Sequence, residues 1–424
     1  MTSLRIKLAL FLTYFVFAIL LNSVGTVILQ AITHFGVSKP GASVLEGFKD
    51  ISIAVVSFSV ASFLPRIGYR KAMIAGLALV AVASLAMPIF NNFLMTRLLF
   101  LCTGVAFALV KVSVYSTLGL VARGRREHAG LMNTLEGLFM VGVLAGYWLF
   151  GYFIGAAGTP GTPGADPAGW LDVYWVLAGL CALTIGLLLA TPFDESGARI
   201  EDSRLAEDFW AMLRLVAEPL VYVFVISAFL YVLIEQGIGT WLPTFNNQIL
   251  KLPAAMSVQA ASIFAACLAI GRLGAGMVLR RLDWYPLLNI CVIAMALLVV
   301  LTLPLTHGLV ENPAISWLNA PLAAYIFPLI GLFMAPIYPA INSVMLSALP
   351  VTRHSAMTGL IVIFSALGGT TGSLITGLVF GRFNGQFAFY LSLVPMTLIL
   401  LALYVFRRRL VAASAPCAPA PHRL

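Results

Sequence analysis

Twelve long apolar runs divide this chain, at about 9–32, 44–65, 71–90, 96–121, 128–155, 170–191, 217–243, 256–279, 285–304, 320–345, 355–381 and 386–406. They leave few folds open. A helix needs about 20 mostly apolar residues to cross the hydrocarbon of a bilayer, and nearly every run has that length. The short period-two segments of a membrane barrel are missing. Backbone polar groups in lipid must be paired inside their own segment, which also demands helices. The composition agrees: 61% of residues are hydrophobic and 10% charged, and the mean hydropathy of +1.00 lies outside the range of a water-soluble globule. The expected fold is an all-α membrane protein with twelve transmembrane helices. Asn22, Thr26 and Gln30 make the first run too polar, and its length too great, for a cleaved signal peptide, so no presequence is expected.

Charge fixes the sidedness. Basic residues fall in alternate loops: Arg5 and Lys7; Arg66, Arg70 and Lys71; Arg123, Arg125 and Arg126; Arg199, Arg204 and Arg214; Arg280 and Arg281; Arg353; and Arg407 to Arg409. The intervening loops hold little beyond Lys39, Arg97, Lys251 and Arg382. The positive-inside rule then places both termini in the cytoplasm, and the expected location is a bacterial inner membrane. The net charge of +9 records this topology and implies no nucleic-acid partner. Five cysteines and five histidines are scattered without ligand spacing, and no phosphate loop or nucleophile elbow occurs, so neither an enzyme nor a bound cofactor or metal is expected.

A basic turn occurs twice, as Leu64-Pro65-Arg66-Ile67-Gly68-Tyr69-Arg70-Lys71 and as Leu279-Arg280-Arg281-Leu282-Asp283-Trp284. Each copy closes one apolar run and opens the next, so the chain reads as two equivalent halves. The division expected is a six-helix bundle over 1–192, a charged cytoplasmic linker over 193–216, a second six-helix bundle over 217–411 and a disordered tail over 412–424. From about Asp202 to Leu215 the linker suits either an amphipathic surface helix or a solvated loop. The Gly- and Pro-rich stretch from Gly158 to Pro167 reads as a flexible outer loop. Duplicated halves put a substrate path between them.

The first basic turn resembles the loop signature of the major facilitator superfamily, Gly-x-x-x-Asp-Arg-x-Gly-Arg-Arg/Lys. Arg66, Gly68 and Arg70 match, while Ala61, Pro65 and Tyr69 replace the first Gly, the Asp and the second Arg. The stretch from Phe63 to Leu77, the tenth run with Ile337-Tyr338-Pro339-Ala340-Ile341-Asn342-Ser343, and the Gly-rich eleventh, Ser365 to Gly372, are similar to the fucose permease branch of proton-coupled sugar symporters. That resemblance implies two six-helix bundles around a central cavity. It also exposes departures: Thr26 and Leu109 stand where the branch carries acids, so its proton-coupling carboxylates do not carry over.

Charge within a bilayer costs ~3 kcal/mol per residue, so such residues face a cavity or a partner. Lys111 lies mid-span in the fourth run, near Tyr115, and Glu136 of the fifth run is its expected partner, as a structural tie or as part of a cavity. Glu46, Lys49 and Asp50 share a helix face at the start of the second run. The helix terminus explains the first two as interfacial charges, and Asp50, the deepest, is expected at the outer vestibule. In the seventh run, Glu235, Gln236 and Trp241 place a carboxylate, an amide and a ring of the kind that stacks on sugars beside Gly237 and Gly239. Asn22, Thr26 and Gln30 recur every four residues and form one polar stripe. Tyr338 and Asn342 supply hydrogen bonds from the second half, whereas Arg272 reads as a brace between helices.

These residues together describe a secondary transporter that works as a monomer by alternating access. Its expected partners are the lipid bilayer, protons and a sugar or related small polar metabolite. An exporter of amphipathic or drug-like compounds is the alternative. A fixed channel suits duplicated halves less well than alternating access does, and a receptor or scaffold leaves the transmembrane charges at Asp50, Lys111 and Glu235 without a purpose.

Overall fold

In the computed structural model the described residues are 2–60, 64–121, 125–158, 164–191, 210, 212–279, 281–310, 312, 315–350 and 353–414. Most of the expected linker and tail therefore lie outside the described residues. The first half consists of α1 (Thr2–Asn22) continued by α2 (Val24–Thr33), α3 (Lys39–Val60), α4 (Tyr69–Phe90), α5 (Phe93–Val121), α6 (Arg125–Ala156) and α7 (Val173–Leu189). The second contains α8 (Pro219–Gly239) continued by α9 (Leu242–Gln248), α10 (Ala254–Val278) and α11 (Trp284–Thr302). A tenth span interrupted at its prolines comes next, ending in α12 (Ile337–Ala348), then α13 (His354–Arg382) and α14 (Leu393–Ser414).

Among the described residues, eleven helical segments are long and apolar enough to cross a membrane. The twelfth long segment is α3, whose 22 residues include Lys39, Glu46, Lys49 and Asp50. It begins at Lys39, five residues before the expected start at 44. The three central charges thus sit two to three turns inside the helix, so Glu46 and Lys49 are not the interfacial capping charges that the sequence suggests.

The basic turn is built as its residues require. Gly68 adopts φ +96°, a region that disfavours side chains, between the short helix Leu64–Ile67 and α4. Arg70 then donates from Nε to the Leu188 carbonyl (2.8 Å) and from Nη2 to the Leu189 carbonyl (2.6 Å). It caps the carbonyl end of α7 with a cation, satisfying orphan acceptors where the helix dipole favours positive charge. At the same basic end, each half ties its first helix to its fifth. Lys7 of α1 meets Glu127 of α6 at 2.8 Å, and Glu218, which caps α8, meets Arg353 before α13 at 2.7 Å. The same tie is made twice with the signs exchanged.

Close helix contacts are made at glycines. Within the second half, a Cβ on Gly368 or Gly372 of α13 would stand 2.4 or 2.2 Å from the Phe229 or Leu233 carbonyl of α8. Across the seam between the halves, a Cβ on Gly25 would stand 2.4 Å from the Thr240 carbonyl, so the breaks in the first and seventh spans touch one another. On α6, Gly151 meets Gln259 and Gly155 meets Ala255 of α10. Gly377 and Gly381 of α13 meet Ser43 and Pro40 of α3.

These contacts all lie on the half of the seam away from the basic loops. Ala255, Gln259, Leu273 and Met277 share one face of α10. At its far end that face is packed on α6, yet at its basic end Leu273 and Met277 are 77% and 67% exposed. On α6, Gly137 lies on the same stripe as Gly151 and Gly155, with open space beside it. The halves form a V, sealed at the far face and open toward the basic one.

Gly372→Ala is expected to lower stability by about 1–3 kcal/mol, because the methyl meets a backbone carbonyl that cannot rotate away. Thermal unfolding in detergent checks this, and an unchanged midpoint would refute the packing of α13 on α8.

Candidate functional site

Where the V closes lies a cavity lined by both halves. Asn22, Gly25, Glu46, Lys49, Met140 and Tyr147 come from the first, and Glu235, Gln236, Thr240, Phe264, Leu268 and Arg272 from the second. A charge cluster forms its wall. Lys49 donates from Nζ to Glu46 Oε1 at 2.5 Å and lies 3.4 Å from Asp50 Oδ1. Glu46 is fully buried, and its other oxygen accepts from the Thr240 hydroxyl at 2.9 Å, a hydrogen bond that crosses the seam. Thr240 Oγ1 also lies 3.0 Å from Gln236 Oε1. One hydroxyl proton serves one acceptor at a time, so giving it to Glu46 requires the Gln236 amide to turn its NH₂ toward Thr240.

Asp50 closes against the opposite half. A Cβ on Gly369 would stand 2.5 Å from Asp50 Oδ2 and 3.2 Å from Gln236 Cγ, so glycine is what lets α3 and α13 meet at this carboxylate. From the second half, Glu235 faces Arg272 at 3.7 Å, longer than a direct charge-assisted hydrogen bond. The Arg272 side chain is 44% exposed, and its Nη1 reaches Met140 Sδ across the seam at 3.8 Å. Arg272 thus joins α10 to α8 and to α6, as a brace would, and it also lines the cavity.

The polar stripe of the first span is divided by its break. Ser23 turns the chain, donating to the Leu20 carbonyl at 2.8 Å, and Asn22 reaches the cavity while donating to the Ala18 carbonyl at 2.9 Å. Thr26 and Gln30 are buried on α2, off the cavity wall. Trp241 is turned away as well: it is fully buried, its ring packs 5.7 Å from Phe380, and its Nε1 donates to the Ser373 carbonyl at 3.0 Å. The face expected to stack on a sugar ring is covered, because the break at Thr240 swings the next residue into the contact between α9 and α13.

Tyr338 and Asn342 lie on α12, one turn apart. The Tyr338 ring stacks on Tyr231 at 5.3 Å and its hydroxyl lies 2.9 Å from Ser365 Oγ, close enough to Glu235 and Arg272 to feel both charges. The buried Tyr231 hydroxyl is turned toward Glu235 and the Asn342 side chain toward Tyr338.

Nearer the basic end, the expected Lys111–Glu136 pair is absent. Glu136 accepts from the Tyr115 hydroxyl at 2.5 Å, and Lys111 makes no ion pair among the described residues. Since Tyr115 gives its one O–H to Glu136, the Tyr14 hydroxyl, 3.1 Å away, donates to Tyr115. That pre-placed phenol reaches the carboxylate before the longer, more flexible lysine. The Lys111 ammonium stands 5.8 and 6.0 Å from the Phe107 and Tyr115 ring centroids, exposed in the open part of the V. Among the described residues no group of three or more His, Cys, Asp or Glu is placed to hold a metal.

Sequence reasoning misses part of this arrangement. Glu46, Lys49 and Thr240 do not stand out as site residues, although the i, i+3 spacing of Glu46 and Lys49 is visible; only the register of α3 shows that they are central.

The Major Facilitator Superfamily profile matches residues 10–328. No curated protein matches the sequence. Among solved structures, a bacterial homologue of the human lysosomal transporter Spinster, in an inward-facing and unoccupied conformation, is similar with TM-score 0.75 at 12% identity, over 99% of each chain. The nucleoside transporter NupG gives 0.72 at 14% identity, over 96% of this chain and 99% of its own. FucP, in the outward conformation, gives 0.60 at 14% identity, over 96% and 99%. With the profile spanning most of its length, the chain belongs to the major facilitator superfamily.

Proposed function

We propose that this chain carries a sugar or related small polar metabolite together with protons, by rocking its two halves about the central cavity. The observation that carries the reading is the charge cluster at the closed end of the V. Three carboxylates, Glu46, Asp50 and Glu235, face two cations, Lys49 and Arg272. One proton would make that set neutral, and burial away from water favours neutrality. A site that gains one proton in one state and loses it in the other couples transport to a proton gradient.

Alternating access is supported by where the seam is sealed. The Glu46–Thr240 hydrogen bond, the Asp50–Gly369 contact and the α6–α10 glycines all join the halves on the far side of the cavity. Breaking them while the basic ends close would turn the cavity around. With the positive-inside orientation, the state described is open to the cytoplasm. The greater likeness to the inward-facing Spinster homologue than to outward FucP supports this. An exporter of drug-like compounds is disfavoured, because the cavity presents four charged side chains, Glu46, Lys49, Glu235 and Arg272, where such a cargo wants apolar walls.

Two outcomes test the reading. Glu235→Gln is expected to abolish accumulation against a gradient while leaving membrane insertion intact, with substrate exchange retained. Wild-type accumulation in that variant, or uptake indifferent to a protonophore, would remove the proton from the mechanism. Separately, the Cβ atoms at Gly155 and Ala255 lie 3.4 Å apart when the first is built, close to the span of a disulfide. Gly155→Cys with Ala255→Cys is expected to cross-link on oxidation and stop transport, with reductant restoring it. Continued transport by the cross-linked protein would refute the rocking of α6 against α10.

A further inference from the structure

We infer that the substrate carries a carboxylate and that Arg272 captures it, releasing Glu235; this rests on the transporter reading above. The donors and acceptors of the cavity are unequally engaged. Glu46 already accepts two hydrogen bonds, from Lys49 and Thr240. Asp50 is held by Lys49 and shut against Gly369, and Glu136 takes the Tyr115 hydroxyl. These acceptors are occupied. The donors are not: Arg272 offers five N–H groups, and its contacts are a carboxylate at 3.7 Å and a thioether at 3.8 Å. Lys111, in the open approach to the cavity, faces two aromatic rings and makes no ion pair among the described residues, Glu136 acting on it only from a distance.

A neutral polyol would supply hydroxyls but no charge, leaving Arg272 with only its loose approach to Glu235. A carboxylate answers both needs, and the planar fork of Arg272 binds it through two parallel hydrogen bonds, a geometry its loose approach to Glu235 does not reach. Lys111 lies on the way in and serves as the first point of attraction.

Coupling then arises by competition. Glu235 is faced by Tyr231 on its own helix, Arg272 from α10, Tyr338 from α12, and Glu46, Lys49 and Asp50 from α3. When the guest takes Arg272, Glu235 loses its nearest cation and is left among other acids. Its carboxylate then takes one proton from water at the face the cavity opens to, becoming a neutral carboxylic acid. No bond to the substrate is made or broken.

The test uses the purified full chain in detergent and matched probes that differ in the acid group: D-glucuronate against D-glucose, D-gluconate against D-glucitol, and L-lactate against propane-1,2-diol. Binding is read by thermal shift and by titration calorimetry. At least one acid is expected to bind while its neutral partner does not, and more tightly as pH falls from about 8 to about 6, because a protonated Glu235 no longer competes. Arg272→Gln should weaken that binding at least about tenfold, with Arg272→Lys between it and the wild type. Glu235→Gln should bind the acid at least as tightly as the wild type and lose the pH dependence. Equal binding of acid and neutral partner, no binding by any acid, or unchanged binding in Arg272→Gln overturns the proposal. If Arg272→Gln does not fold, weaker acid binding in Glu235→Gln overturns it. Equilibrium binding is independent of a protonophore, so failure of proton-coupled uptake and failure of this assignment are read separately.

Discussion

The structure depends on one polar junction in an otherwise apolar seam, the Glu46–Lys49–Asp50 cluster of α3 against Thr240 and Gly369. A charge placed mid-membrane is costly unless it is paired and hydrogen-bonded. Here each charge leans on the next, and the last bonds cross to the other half. The cluster can therefore be satisfied only while the two halves meet at this face. Opening that face exposes Glu46 and Asp50 to water, which can replace the lost partners. The same groups are thus tolerated in two arrangements, each with its own solvation, and that is the physical requirement for a bistable seam.

Glycine makes the junction possible in a second way. Where α13 crosses α3 and α8, the residues at closest approach are Gly368, Gly369, Gly372, Gly377 and Gly381. Small residues at membrane helix contacts let backbones come close, so packing replaces the hydrophobic driving force that lipid cannot supply. Those glycines serve different ends. Gly368 and Gly372 bind α13 into its own half, while Gly369, Gly377 and Gly381 face the other half. One helix therefore packs on its own half and on the other, and the proposed rocking would divide these two sets of contacts.

Much of this is legible in the sequence, for reasons that also explain what is not. Apolar run length and loop charge depend on the bilayer alone, so the helical class and the membrane spans can be read directly. Lys111 and Glu235 stand out because a mid-span charge is conspicuous wherever it points. Which way it points is a tertiary property. Glu46 and Lys49 read as end charges because α3 gains a turn that its apolar run does not announce. Trp241 reads as a binding face, but the helix break at Thr240 rotates it into packing. Lys111 and Glu136 read as partners by depth, yet Tyr115, anchored by Tyr14, reaches the carboxylate first. Depth along a helix is in the sequence; azimuth is fixed by neighbours from distant parts of the chain.

Arg272 carries this difference into mechanism. By depth alone it belongs to the basic end and reads as a brace. The convergence of α10 on α6 brings its guanidinium to the cavity, between Glu235 of its own half and Met140 of the other. An arginine held that loosely is poised to change partners, because what it gives up at 3.7 Å is less than a direct charge-assisted bond would gain. The tightly bonded Lys49 has no such freedom: at 2.5 Å from Glu46 it is committed to the seam. In the proposed mechanism the two cations of the cavity would divide the work, one keeping the far face closed and the other remaining available to a guest. The carboxylates of the fucose permease branch are missing at Thr26 and Leu109, and the competition proposed for Arg272 is a way in which the acids present instead would link cargo to proton.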